Sequence, residues 1–443
     1  MQSKVTFAGA NNTSYAQAEQ DLRVLAELPI SDKQVRRVCA AVGAARVAER
    51  DAAVCDYQAR PLAERKGVPA GVTAPAVAVV GVDGGRLQIF ERVSKAQQEA
   101  AVAAALTVVA VTATVAVPER ATAVAPAAEE IQDDVAVPAP TSTARKPLYW
   151  REDKIGLLLT MHSDRHESDP CPEIPAAFVN PHWITELAKE MSRRAPIHEP
   201  TVAKTTGPPG TAAEAPTDDW KPAVATKHLV ATRRPWEAFG PMVATQAWSL
   251  GYYGASRKAF LGDGAENNWT LWRENFSSFV PILDFIHALT YVFHAALAGR
   301  PSAVGWETYQ RWIGWVWSGE VERTIAELAQ RQAELGVADQ EASESSPVKV
   351  VSRALGYLQN HKERMRYAEY RRQGLPIVSS YVESAVKQFN YRVKGTEKLW
   401  RETGAEPILQ LRSDYLSDGE PMSAFWQRRQ ASESGQARRR TDA

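Results

Sequence analysis

Three short apolar runs in this chain each stop at an aspartate, which limits what it can fold into. "PAVAVVGVDGG" reaches Asp83, "RKAFLGDG" reaches Asp263 and "FVPILDF" reaches Asp284. Short runs rich in Val, Ile, Leu and Phe and bounded by Gly or Pro read as strands. A carboxylate at a strand tip is exposed while the sheet fixes its direction, so the pattern also marks a place to build a site. The first run continues through "DGG" into "RLQIFER", so Pro75 to Arg92 reads as a β-hairpin in which Asp83 favours the turn before Gly84. "REDKIGLLLTMHSD" supplies a third strand from about Lys154 to Met161. Helical periodicity appears near Trp183–Ser192 and near Trp236–Leu250, on either side of the Pro/Gly/Thr-rich loop "TVAKTTGPPGTAAEAPTDDW". From about Ala288 to Gln373 the pattern is helical and carries Trp306, Trp312, Trp315 and Trp317, for which core packing and base stacking both stand. Strands interleaved with helices define an α/β class.

A fourth acid lies in "LPIVSSYVESAVKQFNYRVKGTEKLW". Val382, Ala385, Val386 and Phe389 recur at the spacing of one helix face, with Ser379 or Ser380 as N-cap. Glu383, Lys387, Asn390 and Lys394 then fall on a second face. One reading is a surface pair between Glu383 and Lys387; the other is an acid at the head of a row of phosphate-ready groups. From His361 to Arg401 the chain holds ten Lys/Arg against four Glu, a balance of 10 − 4 = +6, interleaved with Tyr367, Tyr370, Tyr381, Phe389, Tyr391 and Trp400. Such a stripe suits nucleic acid or a solvated face with its aromatics in the core. The net charge of the whole chain is zero and adds nothing to either side.

At 443 residues the chain has room for two or three domains. Its three cysteines, Cys39, Cys55 and Cys171, form no CxxC pair, which argues against a disulfide framework or zinc knuckle and suits a reducing, cytoplasmic setting. No basic segment followed by an apolar core opens the chain, so no signal peptide is expected. Ala100 to Val117 is uncharged, but with one Leu, three Thr and no Ile or Phe it reads as part of a low-complexity Ala/Val/Pro insertion over 96–145 rather than a membrane span. Such a segment offers little surface worth burying and is expected to lack packed contacts with the rest of the chain. His162 and His166 in "MHSDRHESD" lack a third soft ligand, so they do not define a zinc site.

Near the start, Ser14 to about Glu27 and Ser31 to about Val42 each begin at a helix-capping serine, with "LPI" between them. That is helix-turn-helix spacing, and Arg36 and Arg37 on the second helix would reach a DNA groove or its phosphates; a plain helical hairpin has the same pattern.

Taken in order, "VDGGRLQIFER", "WREDKIGLLLTM", "FLGDGAENNW", "ILDFIHAL", "SSYVESAVKQFNYRVKG" and "GAEPILQLR" resemble the blocks of DDE-type transposases of bacterial insertion sequences, over roughly 14–92 and 147–427. The resemblance implies an RNase H-like mixed sheet with flanking helices, an all-α insertion domain before the Glu, and an N-terminal helix-turn-helix-like segment. It divides the chain into a helical, DNA-binding segment at 1–70, a core at 71–95 and 146–288, the insertion at 96–145, a helical insertion domain at 289–375, the Glu-bearing helix and core C-terminus at 376–427, and a basic disordered tail at 428–443. Matched position by position, it assigns Asp83, Asp263 and Glu383 as catalytic ligands of Mg²⁺, or Mn²⁺ in its place. Asp284 and His287 of "DFIH" become supporting residues. Lys387, Asn390, Arg392 and Lys394, with Arg36 and Arg37, become contacts to double-stranded DNA at element ends and target. It further implies a homo-oligomer on DNA, with no membrane partner. An RNase H-like nuclease or resolvase, and a decayed DNA-binding remnant, are the alternatives. The Ala/Val-rich insertion departs from the short polar connection expected between early strands.

Overall fold

The computed structural model describes residues 1–89, 149–194, 220–337, 342–395 and 398–441. The low-complexity insertion lies outside the described residues, and with it the expectations that it packs against nothing and does not span a membrane. Among the described residues, no helix is long and apolar enough to cross a membrane.

Six strands form one mixed sheet: β1 (Val77–Ile89), β2 (Tyr149–His162), β3 (Ala223–Thr232), β4 (Arg257–Gly262), β5 (Val280–Leu283) and β6 (Leu399–Trp400). Their order is β3-β2-β1-β4-β5, with β6 also pairing β1. β1, β2 and β3 are antiparallel, whereas β4 and β6 run parallel to β1, and β5 parallel to β4.

Two strand expectations change. The described part of the expected hairpin, up to Ile89, does not turn back: β1 runs straight through the "DGG", pairing Asp83, Gly84 and Gly85 with Ile155, Lys154 and Asp153 of β2. Neither glycine adopts the positive φ that a tight hairpin turn demands. Gly85 instead makes room, since a Cβ there would lie 2.9 Å from both Asp153 carboxylate oxygens. The third antiparallel strand is therefore β3, which the sequence pattern hides between two helices. Its exposed first half gives it little apolar signal.

The helices are α1 (Gln2–Asn11), α2 (Tyr15–Leu25), α3 (Asp32–Ala59), α4 (Leu62–Arg65), α5 (Pro181–Arg194), α6 (Trp236–Ser249), α7 (Glu266–Asn275), α8 (Phe285–Leu297), α9 (Ser302–Trp317), α10 (Val321–Leu335), α11 (Pro347–His361), α12 (Tyr367–Arg372), α13 (Ser380–Val393), α14 (Glu402–Leu416) and α15 (Pro421–Thr441). Ser14 and Ser31 cap α2 and α3 as their spacing predicts, Ser31 in a capping box with Gln34. The tail expected to be disordered continues α15 to Thr441; its Gln, Arg, Ala and Glu residues are good helix formers.

Two glycines show how the sheet is covered. On one face Gly156 leaves space for Val243 and Phe239 of α6; on the other, Gly81 leaves space for Val382 of α13. α9 to α12 form the helical insertion between α8 and α13. Trp312 and Trp317 are buried in its core and Trp306 and Trp315 are partly buried against it, which favours packing for the tryptophan cluster.

Candidate active site

β1 and β4 pair in parallel with Gly81 opposite Leu261. Continuing that register by two residues sets Asp83 opposite Asp263, where β4 has just ended at Gly262. Adjacent strands lie about 4.8 Å apart, so the two acids start side by side. Each is held locally. Asp83 Oδ1 accepts the Gly84 amide at 2.7 Å. Asp263 Oδ1 accepts the Ala265 amide at 3.0 Å and Asn268 Nδ2 at 2.7 Å.

Glu383 arrives from the other end of the chain. Side chains alternate along a strand, so Asp83 shares the face of Gly81, and Gly81 is where Val382 seats. The next residue on α13 is Glu383. A Cβ on Gly81 would lie 2.4 Å from Val382 Cγ2, so the glycine sets how closely this helix approaches the strand carrying Asp83.

Asp284 fixes where α13 begins. Its fully buried carboxylate caps α8 through the His287 amide at 3.0 Å, contacts His287 Nδ1 at 2.7 Å, and accepts the Ser379 amide at 2.6 Å. Ser379 is the N-cap residue of α13 but makes no side-chain cap bond among the described residues; Asp284 takes up its amide instead. Burial alone would lower the His287 pKa. The hydrogen bond and charge of Asp284, with the charges of Asp263 and Asp83, outweigh it and raise the ring to about 9. His287 thus lies within the field of both aspartates.

Asp83, Asp263 and Glu383 all line one cleft of about 1480 Å³, together with His287, Lys387, Asn390 and Lys394. Lys387 forms an exposed ion pair with Glu190 of α5 at 3.5 Å. Arg392 does not join this row. It is 2% exposed, donates from Nε to the Gly9 carbonyl at 2.9 Å, and lies over the rings of Tyr15 and Trp400, so it braces the N-terminal helices instead of reaching a DNA backbone. Arg36 and Arg37 are exposed on α3 and do not line the cleft.

Sequence reasoning missed several cleft residues. Asn268 had a signal, five residues after Asp263 in "GDGAENNW". Arg151, Arg233 and Arg353 come from β2, the end of β3 and α11, and nothing in their local sequence ties them to the acids.

Among the described residues no group of three or more His, Cys, Asp or Glu side chains is gathered to hold a metal ion. The three acids share a cleft without forming a closed cage. All three are carboxylates, the oxygen donors that Mg²⁺ prefers. No protein-family model matches this chain, and no curated protein matches it.

Proposed function

We propose that this chain is a DDE-type transposase whose RNase H-like core cuts phosphodiester bonds at the ends of a DNA element and joins them to target DNA. The observation that carries the reading is the convergence of Asp83, Asp263 and Glu383 on one cleft across 383 − 83 = 300 residues, with Lys387, Asn390 and Lys394 beside them. The strand order β3-β2-β1-β4-β5, antiparallel then parallel, supports it.

Asp83 and Asp263 would offer Mg²⁺, or Mn²⁺, oxygens from adjacent strands, and Glu383 would close over them from α13. Bound there, two such ions would supply the activation of a water or a DNA 3′-hydroxyl and the stabilisation of the leaving 3′-oxygen. The protein's part is placement. Asn268 and the Ala265 amide orient Asp263, and Asp284 orients both His287 and the start of α13. Lys387, Asn390 and Lys394 follow Glu383 along the helix and take successive backbone phosphates. Cutting two element ends together calls for a homo-oligomer on DNA.

Glu383→Gln keeps size and hydrogen-bonding capacity but removes the charge. On a labelled duplex carrying the element's own ends, DNA binding should persist while Mg²⁺-dependent nicking collapses. Lys387→Ala should instead weaken binding and flatten its salt dependence. Undiminished cutting by the Gln variant removes Glu383 from the chemistry. Cutting without joining assigns a nuclease or resolvase, and binding without cutting by the wild type assigns a decayed remnant.

A further inference from the structure

The loop that carries Asp263 is gripped from outside the sheet. Tyr357, on α11 of the helical insertion, donates its hydroxyl to the Asp263 carbonyl at 2.7 Å. One helical turn further on, His361 lies against the same ring. Beside the Tyr357 bond Gly264 holds φ at +104°, and a Cβ there would lie 2.6 Å from the Tyr357 ring. A side chain at this position would therefore be strained by the backbone and would also push the tyrosine away.

The grip is backed on both sides. The Tyr357 ring stacks on Tyr291 of α8, with centroids 3.8 Å apart and planes at 11°. His361 packs edge-on to Tyr357 at 4.8 Å and lies 5.9 Å from Trp269, a buried residue of α7, the helix that begins just after Asp263. His361 Nδ1 also accepts from Arg364 Nη1 at 3.0 Å. The column Tyr291–Tyr357–His361–Trp269 thus runs from the cleft wall to the core and holds the Asp263 carbonyl on the way.

We infer that Tyr357, backed by His361, is a positioning residue that fixes the direction of the Asp263 carboxylate, making the helical insertion part of the active site. The inference rests on the proposed role of Asp263 as a metal ligand. A strand-end acid is only as well aimed as the residues after the strand, and β4 has ended one residue before it. Asn268 and the Ala265 amide hold the carboxylate from the far side of the loop, and both shift if the loop backbone shifts.

Tyr357→Phe removes the hydroxyl and keeps the ring, so the aromatic column survives. On the full chain, amide hydrogen exchange at Gly264 and Ala265 should rise about tenfold in this variant, while the amides of α11 and α8 keep their protection. Titration with Mn²⁺, read by its electron paramagnetic resonance signal, should show affinity falling by about tenfold. Nicking should slow by a similar factor with the Kd for DNA unchanged. Gly264→Ala should reproduce all three changes, and Tyr357→Ala should exaggerate them. Unchanged exchange at Gly264 and Ala265 in the Phe variant overturns the grip. Faster exchange with unaltered Mn²⁺ affinity overturns its role in positioning the ligand. A wild type that binds no Mn²⁺ fails the metal-site reading itself, and the exchange data then still decide whether the grip exists.

Discussion

Asp153 shows what a single residue under the cleft can cost. It lies on β2 opposite Gly85, fully buried, and neither carboxylate oxygen has a hydrogen-bond partner among the described residues. Burial raises its pKa, the charges of Lys394 and Lys154 hold the rise in check, and the balance stands at about 6. An unfolded aspartate titrates near 3.9, so the folded chain binds the extra proton between about pH 4 and 6. Stability therefore holds fully below that window and falls as pH rises through it, by about 3 kcal/mol in the limit. Asp153→Asn keeps the shape without the charge. Its melting temperature should match wild type at pH 4 and exceed it at pH 7.5, and equal pH dependence of the two would refute the assignment. Residues such as this are poorly legible in sequence: "REDKIG" reads as charged and exposed, and only pairing to Gly85 reveals a buried acid. Arg392 misled in the same way, because a helical wheel cannot show that Gly9 and Tyr15 cover it. As supporting residues, Asp284 and His287 entered the sequence reading only through the resemblance, whereas the contact between them follows from Asp284 capping α8 three residues before His287.

Among elements, β1 and α13 decide the site, and Gly81 is the joint between them. Gly81→Ala sets a methyl 2.4 Å from Val382 Cγ2, and valine is too short to move aside, so α13 must lift. Overpacking of this kind costs about 1–3 kcal/mol. It should also carry Glu383 away from Asp83 and reduce nicking more than binding. Val382→Ala in the same chain removes the colliding atom, so the double variant should regain both melting temperature and activity relative to Gly81→Ala. A double variant no better than the single would mean that the glycine does not set the helix position. The helical period of α13 and the apolar runs of β4 and β5 were readable because each buries one stripe or one whole strand. The turn reading of "DGG" failed because glycine serves close approach as readily as reversal. β3 failed because an edge strand with an exposed half has no clean alternation.

At the scale of the whole molecule, the N-terminal helices, which the sequence left open as a DNA-contacting pair or a plain helical hairpin, are built into the core. Gly43 of α3 lies against Pro407 of α14 so closely that a Cβ would sit 2.5 Å from the Pro407 carbonyl oxygen. Along the same contact Arg46 pairs with Asp414 at 2.9 Å, Arg50 with Glu406 at 3.0 Å, and Asp51 with Arg234 beyond β3 at 2.6 Å. Arg392 ties the end of α13 to α1 and α2 through Gly9 and Tyr15. The capping serines fixed where α2 and α3 begin, but amphipathic spacing does not say which surface a helix covers. The Arg46–Asp414 pair is nearly buried, so Arg46→Ala should destabilise the chain by about 3 kcal/mol, the range for leaving a buried charge unpaired. Deleting residues 1–60 should do more than remove a binding module: it strips α14 and uncovers Arg392, so the remainder should not unfold cooperatively. Arg36→Ala with Arg37→Ala, both exposed, should leave the melting temperature unchanged and isolate any contribution of that helix to DNA affinity. The measurements are calorimetric unfolding and limited proteolysis of the full chain. One transition, and no early cut between α3 and β1, is the expected result. Two separable transitions, or a truncated chain that melts like the parent, would restore the picture of an independent head.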